Sequence, residues 1–199
     1  MATLIKDRNV VADPWLRLEL SADGSLPPVP PAGDIIMPLA LWQSRRKALL
    51  VRPGRIGVWL NSHEDPEAIA NDLRLFGVVA VNFPTFGDGR GYSIARLLRE
   101  RYGWKGELRA VGDIFRDQLF YLSSCGFNSF VLREGEDPQE ALAAFGDFSE
   151  AYASSVARPL PLFRRRRPSP PPLSRAERGA RTSPSPLGRR GRDEGMEGA

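Results

Sequence analysis

The spacing of apolar and polar side chains changes period along the chain, and each change marks an element. Leu4-Ile5 and Val10-Val11 flank a turn-like Lys6-Asp7-Arg8-Asn9, and Trp15-Leu16-Arg17-Leu18-Glu19-Leu20 alternates apolar and charged residues like a half-buried strand. Pro27, Pro28, Pro30 and Pro31 exclude regular structure in the linker that follows, and Pro38 is placed to open a helix through Trp42 to Leu50. From Arg55 the pattern repeats. Residues 56–60 read as a buried strand, after which Asp65-Pro66 caps and starts a helix with Ile69, Leu73 and Phe76 on one face, closed by Gly77. Residues 78–83 are the next strand. A glycine-rich loop then leads into a helix with Ile94, Leu97 and Leu98 inward and Arg96, Arg99 and Arg101 largely outward. Residues 108–111 form a third strand, followed by a helix carrying Phe115, Leu119 and Leu122 and stopped at Gly126. Residues 127–132 form a fourth, and Asp137-Pro138-x-Glu140 opens a last helix with Leu142, Phe145 and Phe148.

Four strands alternating with four helices predict an α/β fold with right-handed crossovers. The sheet is mainly parallel, either open or a partial (β/α) barrel of about four βα units, with a small N-terminal β unit. The expected organisation is a single α/β domain over residues 1–157, in which 1–33 hold the β unit and proline-rich linker and 34–157 the repeated units. Residues 158–199, rich in Arg, Pro, Ser and Gly, have almost nothing to bury and are expected to be a disordered tail.

Charge follows the same division. The whole chain carries +4, a figure that invites a nucleic-acid reading. From Arg158 onward there are 11 Arg against 4 acidic residues, which leaves 17 basic and 20 acidic residues before it. The basic character therefore belongs to the tail, and the folded part is mildly acidic. The tail has no aromatic residue among its arginines after Phe163, so base stacking is unavailable and specific nucleic-acid binding is not expected. No apolar run approaches a membrane span, and the opening residues lack the basic flank and long apolar core of a signal peptide, which predicts a cytoplasmic protein. One cysteine, Cys125, and one histidine, His63, exclude an internal disulfide, a four-thiolate zinc site and a self-contained iron–sulfur cluster; no metal site is expected, and no pattern identifies a cofactor.

The candidate chemistry lies where parallel strands end, the edge at which such sheets bind ligands. Asp113, Arg116 and Asp117 follow the third strand and form the candidate catalytic group, with Asp113 serving either as a general base or as the N-cap of the next helix. Asp88, Gly89, Arg90 and Gly91 read either as an anion nest at a helix start or as a loop whose glycines adopt positive φ. The run is not a dinucleotide fingerprint, because Tyr92 stands where the last glycine should fall. Arg109, inside a strand, is the further candidate anion contact, or else a semi-buried cation paired with Glu107 or Asp117. His63 is a weak candidate in a loop, and Cys125, at the C-terminal end of a helix, reads as a packed, inert thiol.

Two longer runs carry a resemblance. Phe83-Pro84-x-Phe86-x-Asp88-Gly89-Arg90-Gly91-Tyr92-Ser93-x-Ala95-Arg96-Leu97-Leu98-Arg99 is followed by Gly106-Glu107-Leu108-Arg109-Ala110-Val111-Gly112-Asp113-x-x-Arg116-Asp117-Gln118 and by Cys125-Gly126-Phe127. Together they resemble a bacterial family of unknown function over roughly residues 1–160. The family's genes usually lie beside assimilatory sulfite reductase, and its members are often labelled oxidoreductases involved in sulfite reduction. Ser124 stands where the family commonly has a basic residue. The resemblance implies an accessory or oxidoreductase-associated protein of sulfate and sulfite assimilation, within cysteine biosynthesis, with sulfite reductase or another sulfur-assimilation enzyme as partner. Two other classes fit the residues: a small-anion enzyme on a partial barrel, and a non-catalytic scaffold for sulfite reductase, for which exposed Trp and Phe are expected. One cysteine cannot ligate a four-iron cluster, so the chain is not itself the sirohaem reductase.

Overall fold

A computed structural model describes residues 3–21, 23–148, 151–156 and 158–165. Eight strands make one sheet: β1 (Thr3–Lys6), β2 (Asn9–Ala12), β3 (Leu16–Arg17), β4 (Ile35–Pro38), β5 (Ile56–Leu60), β6 (Val78–Phe83), β7 (Glu107–Gly112) and β8 (Ser129–Phe130). Their order is β2-β1-β8-β7-β6-β5-β4-β3, and the sheet curls into half a barrel. Strands β3 to β8 run parallel to one another, while β1 is antiparallel to both β2 and β8.

The N-terminal β unit, the antiparallel pair β1–β2, is joined to the one sheet. The N-terminal residues supply both edges of that sheet, because Leu4 and Ile5 gain full burial against β8 and Leu16 pairs with Ile35 on β4. Strand β4 lies just past the proline-rich linker, where no strand is expected from the sequence: Ile35, Ile36 and Met37 are all buried, and their strand is hidden by the prolines and glycine around it. Of the alternating run 15–20, only Leu16–Arg17 joins the ladder. The fourth expected strand shortens to Ser129–Phe130.

Alternation along the strands divides the core into two layers. Val58, Leu60, Val79, Val81, Leu108 and Ala110 face the helices and join a large cluster with Trp42, Ile69, Leu98, Leu122 and Phe145. Ile36, Trp59, Val78, Ala80 and Val111 point to the other side, where Trp15 from the segment between β2 and β3 closes over them. Trp59 Nε1 donates to the Leu18 carbonyl at 2.9 Å, and a Cβ on Gly77 would stand 2.9 Å from the Trp15 ring. The segment between β2 and β3, residues 13–15, thus forms a strap on the face that the helices leave open.

The connections capped by Asp65 and Asp137 begin where the sequence predicts, while several turns depart from the regular α-helix. Pro38 opens α1 (Leu39–Leu50), which kinks at Arg45. Asp65 accepts from the Glu67 N–H at 2.9 Å and starts a 3-10 stretch, Pro66–Leu75. Helix α2 (Arg90–Arg96) continues into a π turn, Leu97–Arg101, which adds a residue to the repeat. Arg99 consequently lies inward rather than outward. Its guanidinium donates to the carbonyls of Gly126, Trp104 and Gly106 and so ties the loops leading to β7 and β8. A 3-10 turn, Arg116–Gln118, precedes α3 (Leu119–Ser124), and Asp137 caps α4 (Pro138–Ala141) by accepting from the Gln139 N–H at 2.8 Å. Past position 157, Leu162–Arg165 forms a short α5 with the Phe163 ring 6.4 Å from that of Tyr152. The rest of the expected tail, residues 166–199, lies outside the described residues.

Candidate functional site

In the parallel part of the sheet, β5 to β8 end on one edge: Leu60 pairs with Val81, Phe83 with Gly112, and Ala110 with Phe130. The residues after these ends converge there. Asn61 Oδ1 accepts from the Ser62 N–H at 2.9 Å and from Asn82 Nδ2 at 3.3 Å. The Ser62 hydroxyl and the Arg90 guanidinium both donate to Asp88. Arg90 does so through two bonds, Nε to Oδ1 at 2.9 Å and Nη2 to Oδ2 at 2.7 Å. The Arg90 guanidinium foremost, and Ser62 after it, hold the Asp88 carboxyl far below the usual carboxylate range.

This geometry revises the anion nest. The Asp88 carboxylate accepts the Arg90 backbone N–H at 3.1 Å as well as its side chain, so the seat at the start of α2 is filled by the chain's own anion. The glycine alternative is revised too. Gly87, Gly89 and Gly91 do not have positive φ. Gly89 is a helical N-cap with φ −81°, and Gly91 is small for packing: a Cβ there would lie 2.5 Å from the Phe83 ring.

Asp113 faces the same edge without capping a helix. Its Oδ2 accepts from the Phe86 N–H at 3.1 Å, and Oδ1 stands 3.6 Å from Arg133. The helical turn begins later, because the side chain of buried Gln118 reaches back to accept the Phe115 N–H at 3.0 Å. Arg116 is exposed and 3.4 Å from Asp147, and Asp117 is exposed beside it. Asp113 and Arg116 thus engage different partners.

Arg109 belongs to another place altogether. Its side chain is 3% exposed on the face away from the helices, and it donates to Glu107 Oε1 from Nη2 at 2.8 Å and to Asp13 Oδ2 from Nη1 at 2.8 Å. Lys6 Nζ completes the cluster at 2.7 Å from Glu107 Oε2. Two cations and two carboxylates cancel, which leaves no net charge to attract an anion. Burial pushes the Glu107 carboxyl up, but the Lys6 hydrogen bond and the charge and hydrogen bonds of Arg109 outweigh it, and the net direction is down. Pairing with Glu107 is one of the two partners expected; Asp13, 96 residues away, takes the place of Asp117.

His63 is exposed in the turn after β5. Cys125 is buried, and burial pushes its thiol up. Among the described residues, no group of three or more His, Cys, Asp or Glu could hold a metal ion, and no helix is long and apolar enough to cross a membrane.

Sequence reasoning missed the aromatic surface at this edge. Phe86, Tyr121 and Phe148 are 52%, 57% and 59% exposed. Each stands against a second ring: Phe86 on Phe115 at 5.3 Å, Tyr121 on Tyr92 at 4.8 Å, Phe148 on Phe120 at 5.1 Å. Gln118 links the first two pairs, donating to the Phe86 carbonyl at 3.4 Å and to the Tyr92 hydroxyl at 3.5 Å. Arg133 lies 4.4 Å over Phe115. The signal available was the density of Phe and Tyr around α3, which reads equally well as core.

Fold and site together define a mostly parallel α/β half barrel whose strand-end edge carries self-paired ions and solvent-facing rings in edge-to-face or tilted pairs. Residues 57–163, just over half of the chain, match the family described as bacterial protein of unknown function (DUF934), and the chain belongs to that family. No curated protein and no solved structure matches it significantly.

Proposed function

We propose that the chain is an accessory protein of assimilatory sulfate and sulfite reduction that acts by docking a partner enzyme through the aromatic surface around α3. The observation that carries the docking is the set of exposed rings Phe86, Tyr121 and Phe148, each held against another ring. Single exposed apolar residues are ordinary on protein surfaces, but rings fixed in pairs around one short helix lose little freedom on binding and supply the large, rigid contact area typical of interface anchors. The arginines of the same edge favour docking over small-anion chemistry, since Arg90 and Arg116 already face Asp88 and Asp147. Sulfite reductase, or another enzyme of sulfur assimilation, is the partner that the family resemblance suggests. A partial (β/α) barrel of four βα units in the cytoplasm belongs to the same reading, supported by the helical stretch that follows each of β5 to β8.

The test mixes the purified full chain with assimilatory sulfite reductase from the same organism and follows complex formation by sedimentation velocity, alongside growth of a gene deletion on sulfate and on cysteine. A complex that forms, together with a growth defect on sulfate that cysteine relieves, is the expected result. Normal growth on sulfate with no complex sinks both halves of the proposal.

A further inference from the structure

Two rings stand apart from the paired aromatics of the strand-end edge. Tyr102 and Trp104 lie between the π turn and β7, and among the described residues neither contacts a second aromatic ring. Both line a cavity of ≈ 490 Å³ together with Ala70, Asn71, Leu73 and Arg74 from the 3-10 stretch before β6. The cavity therefore lies by the amino ends of β6 and β7, the edge opposite to that of Asp88 and Asp113. Its size suits a small organic ligand, since ligand cavities run to about 300–1,000 Å³.

The aromatic wall is fixed before any ligand arrives. The Tyr102 and Trp104 N–H groups donate to the Leu97 and Leu98 carbonyls at 3.0 and 2.8 Å, and Arg99 Nη1 donates to the Trp104 carbonyl at 2.7 Å. Trp104 Nε1 donates to the Glu107 carbonyl at 3.2 Å, and a Cβ on Gly106 would overlap the indole, so close is the backbone to that ring. The one polar group of the indole is thus spent inside the protein, and what Trp104 offers the cavity is ring surface.

The facing wall carries the charge. Arg74 is the single charged residue lining the cavity. Its neighbour Asp72 is taken by Arg46 and by the Trp42 indole, while Arg74 is exposed and has no hydrogen-bond or ion-pair partner among the described residues. Held nowhere else, its guanidinium is free to turn onto an anion seated in the cavity. Because residues 66–75 wind as a 3-10 helix, side chains three apart eclipse, and the Asn71 amide stands in line with Arg74. Arg101, 5.6 Å from the Tyr102 ring centre, adds positive potential nearby.

We propose that this cavity binds a planar aromatic carboxylate, with its ring against Tyr102 and Trp104 and its charge on Arg74, the Asn71 amide beside it. An inorganic anion leaves the rings uncovered, and a neutral arene gains nothing from the guanidinium; a flat ring bearing one negative charge uses both walls. The site is independent of the docking surface and of the pathway assignment.

Naphthoate is the probe, titrated into the full chain and followed by backbone amide spectra and by the unfolding midpoint, with naphthylmethanol, acetate and the saturated decalin carboxylate beside it. Naphthoate is expected to shift the amides of residues 70–74 and 102–106 and to raise the midpoint. Naphthylmethanol and acetate should bind about tenfold or more weakly, having lost the charge or the ring, and decalin carboxylate about threefold or more weakly, having lost planarity. Arg74→Gln is expected to weaken naphthoate by about tenfold, and Asn71→Asp, which sets a like charge in the wall, by about threefold. Both positions are exposed, so the ligand-free midpoint is kept and naphthylmethanol binds as before. Equal affinity for naphthoate and any of the three comparison compounds, full naphthoate affinity in either variant, or no shift at millimolar naphthoate each overturns the proposal.

Discussion

Arg109 and Asp13 meet at 2.8 Å although 96 residues separate them, and that bond pins the strap over the open face of the sheet to the centre of β7. Asp13 also accepts the Trp15 N–H at 3.1 Å, so the same carboxylate that answers Arg109 orients the ring that covers Val78 and Ile36. Replacing Arg109 with Met removes the shared cation and leaves Glu107 buried with only Lys6. The expected loss is about 3–5 kcal/mol in urea unfolding, the usual consequence of stripping one partner from a buried ion cluster. Asp13→Asn should lose less, since the amide oxygen still accepts. A midpoint for Arg109→Met equal to the parent would show that the cluster is ornamental.

The same cluster sets an acid dependence. The folded-state pKa of Glu107 is depressed, so its contribution is complete above the unfolded value, near 4.3, and is lost as pH falls through the folded value. The parent protein is therefore expected to lose stability progressively below about pH 4. In Arg109→Met the carboxyl keeps its burial and the Lys6 hydrogen bond but loses one of its two cations, its pKa rises, and this acid-side loss shrinks. Unfolding free energies compared at pH 3 and pH 6 for both proteins check the sign.

Local chemistry was legible in the sequence, and distant chemistry was not. Asp65 and Asp137 were readable as caps because each bonds an N–H two residues on. The strands at 56–60, 78–83 and 107–112 were readable because both their faces are covered, leaving nearly continuous apolar runs. Ile35-Ile36-Met37 is just as buried but too short to outweigh the prolines before it. Whether a capped segment winds as an α-helix or tightens to 3-10, as residues 66–75 do, depends on the surface it packs against rather than on its own composition. At the candidate site, Asp88 and Arg90 were read as parts of an anion site, and the structure pairs them with each other; a sequence cannot tell a pair that binds a ligand from one that binds itself.

Two glycines separate packing from conformation. Gly112 ends β7 with φ +104°, and a Cβ there would lie 2.3 Å from the Phe83 carbonyl oxygen, so Gly112→Ala meets both a strained backbone and a clash with rigid backbone. A loss of about 2–4 kcal/mol is expected. Gly91 has no unusual φ but stands against the Phe83 ring, so Gly91→Ala should lose about 1–3 kcal/mol by overpacking alone. Adding Phe83→Leu should restore much of the second loss and none of the first, which thermal unfolding of the four variants measures.

Cys125 tests the reading of an inert thiol. It is 4% exposed, and burial first of all raises its pKa. Native protein should react with a disulfide reagent at least about a hundredfold more slowly than unfolded protein, because the nucleophile is the thiolate and the thiolate is scarce and shielded. Cys125→Ala should lose about 1–2 kcal/mol of stability and keep partner binding. Fast labelling of the folded protein contradicts this.

The aromatic surface and the charged corner make opposite predictions for binding. Phe86, Tyr121 and Phe148 face solvent, so replacing each with Ser removes contact area at a partner without opening the core. If the proposed complex with sulfite reductase forms, each single change is expected to weaken it by about tenfold, the effect of losing one anchor of roughly 1–2 kcal/mol. Arg116 pairs with Asp147 at 3.4 Å with both side chains largely in water, so Arg116→Ala should change stability by no more than about 1 kcal/mol. Arg90→Ala frees Asp88 from its cation and lets its carboxyl move back towards the ordinary range without touching a ring pair. Both arginine variants should therefore bind the partner within about twofold of the parent, a difference of roughly 0.4 kcal/mol. Sedimentation or calorimetric titration of the five variants distinguishes the alternatives: if Arg90→Ala and Arg116→Ala abolish binding or complementation while the three aromatic variants do not, the charged corner is the working surface and the rings are ordinary exposed residues.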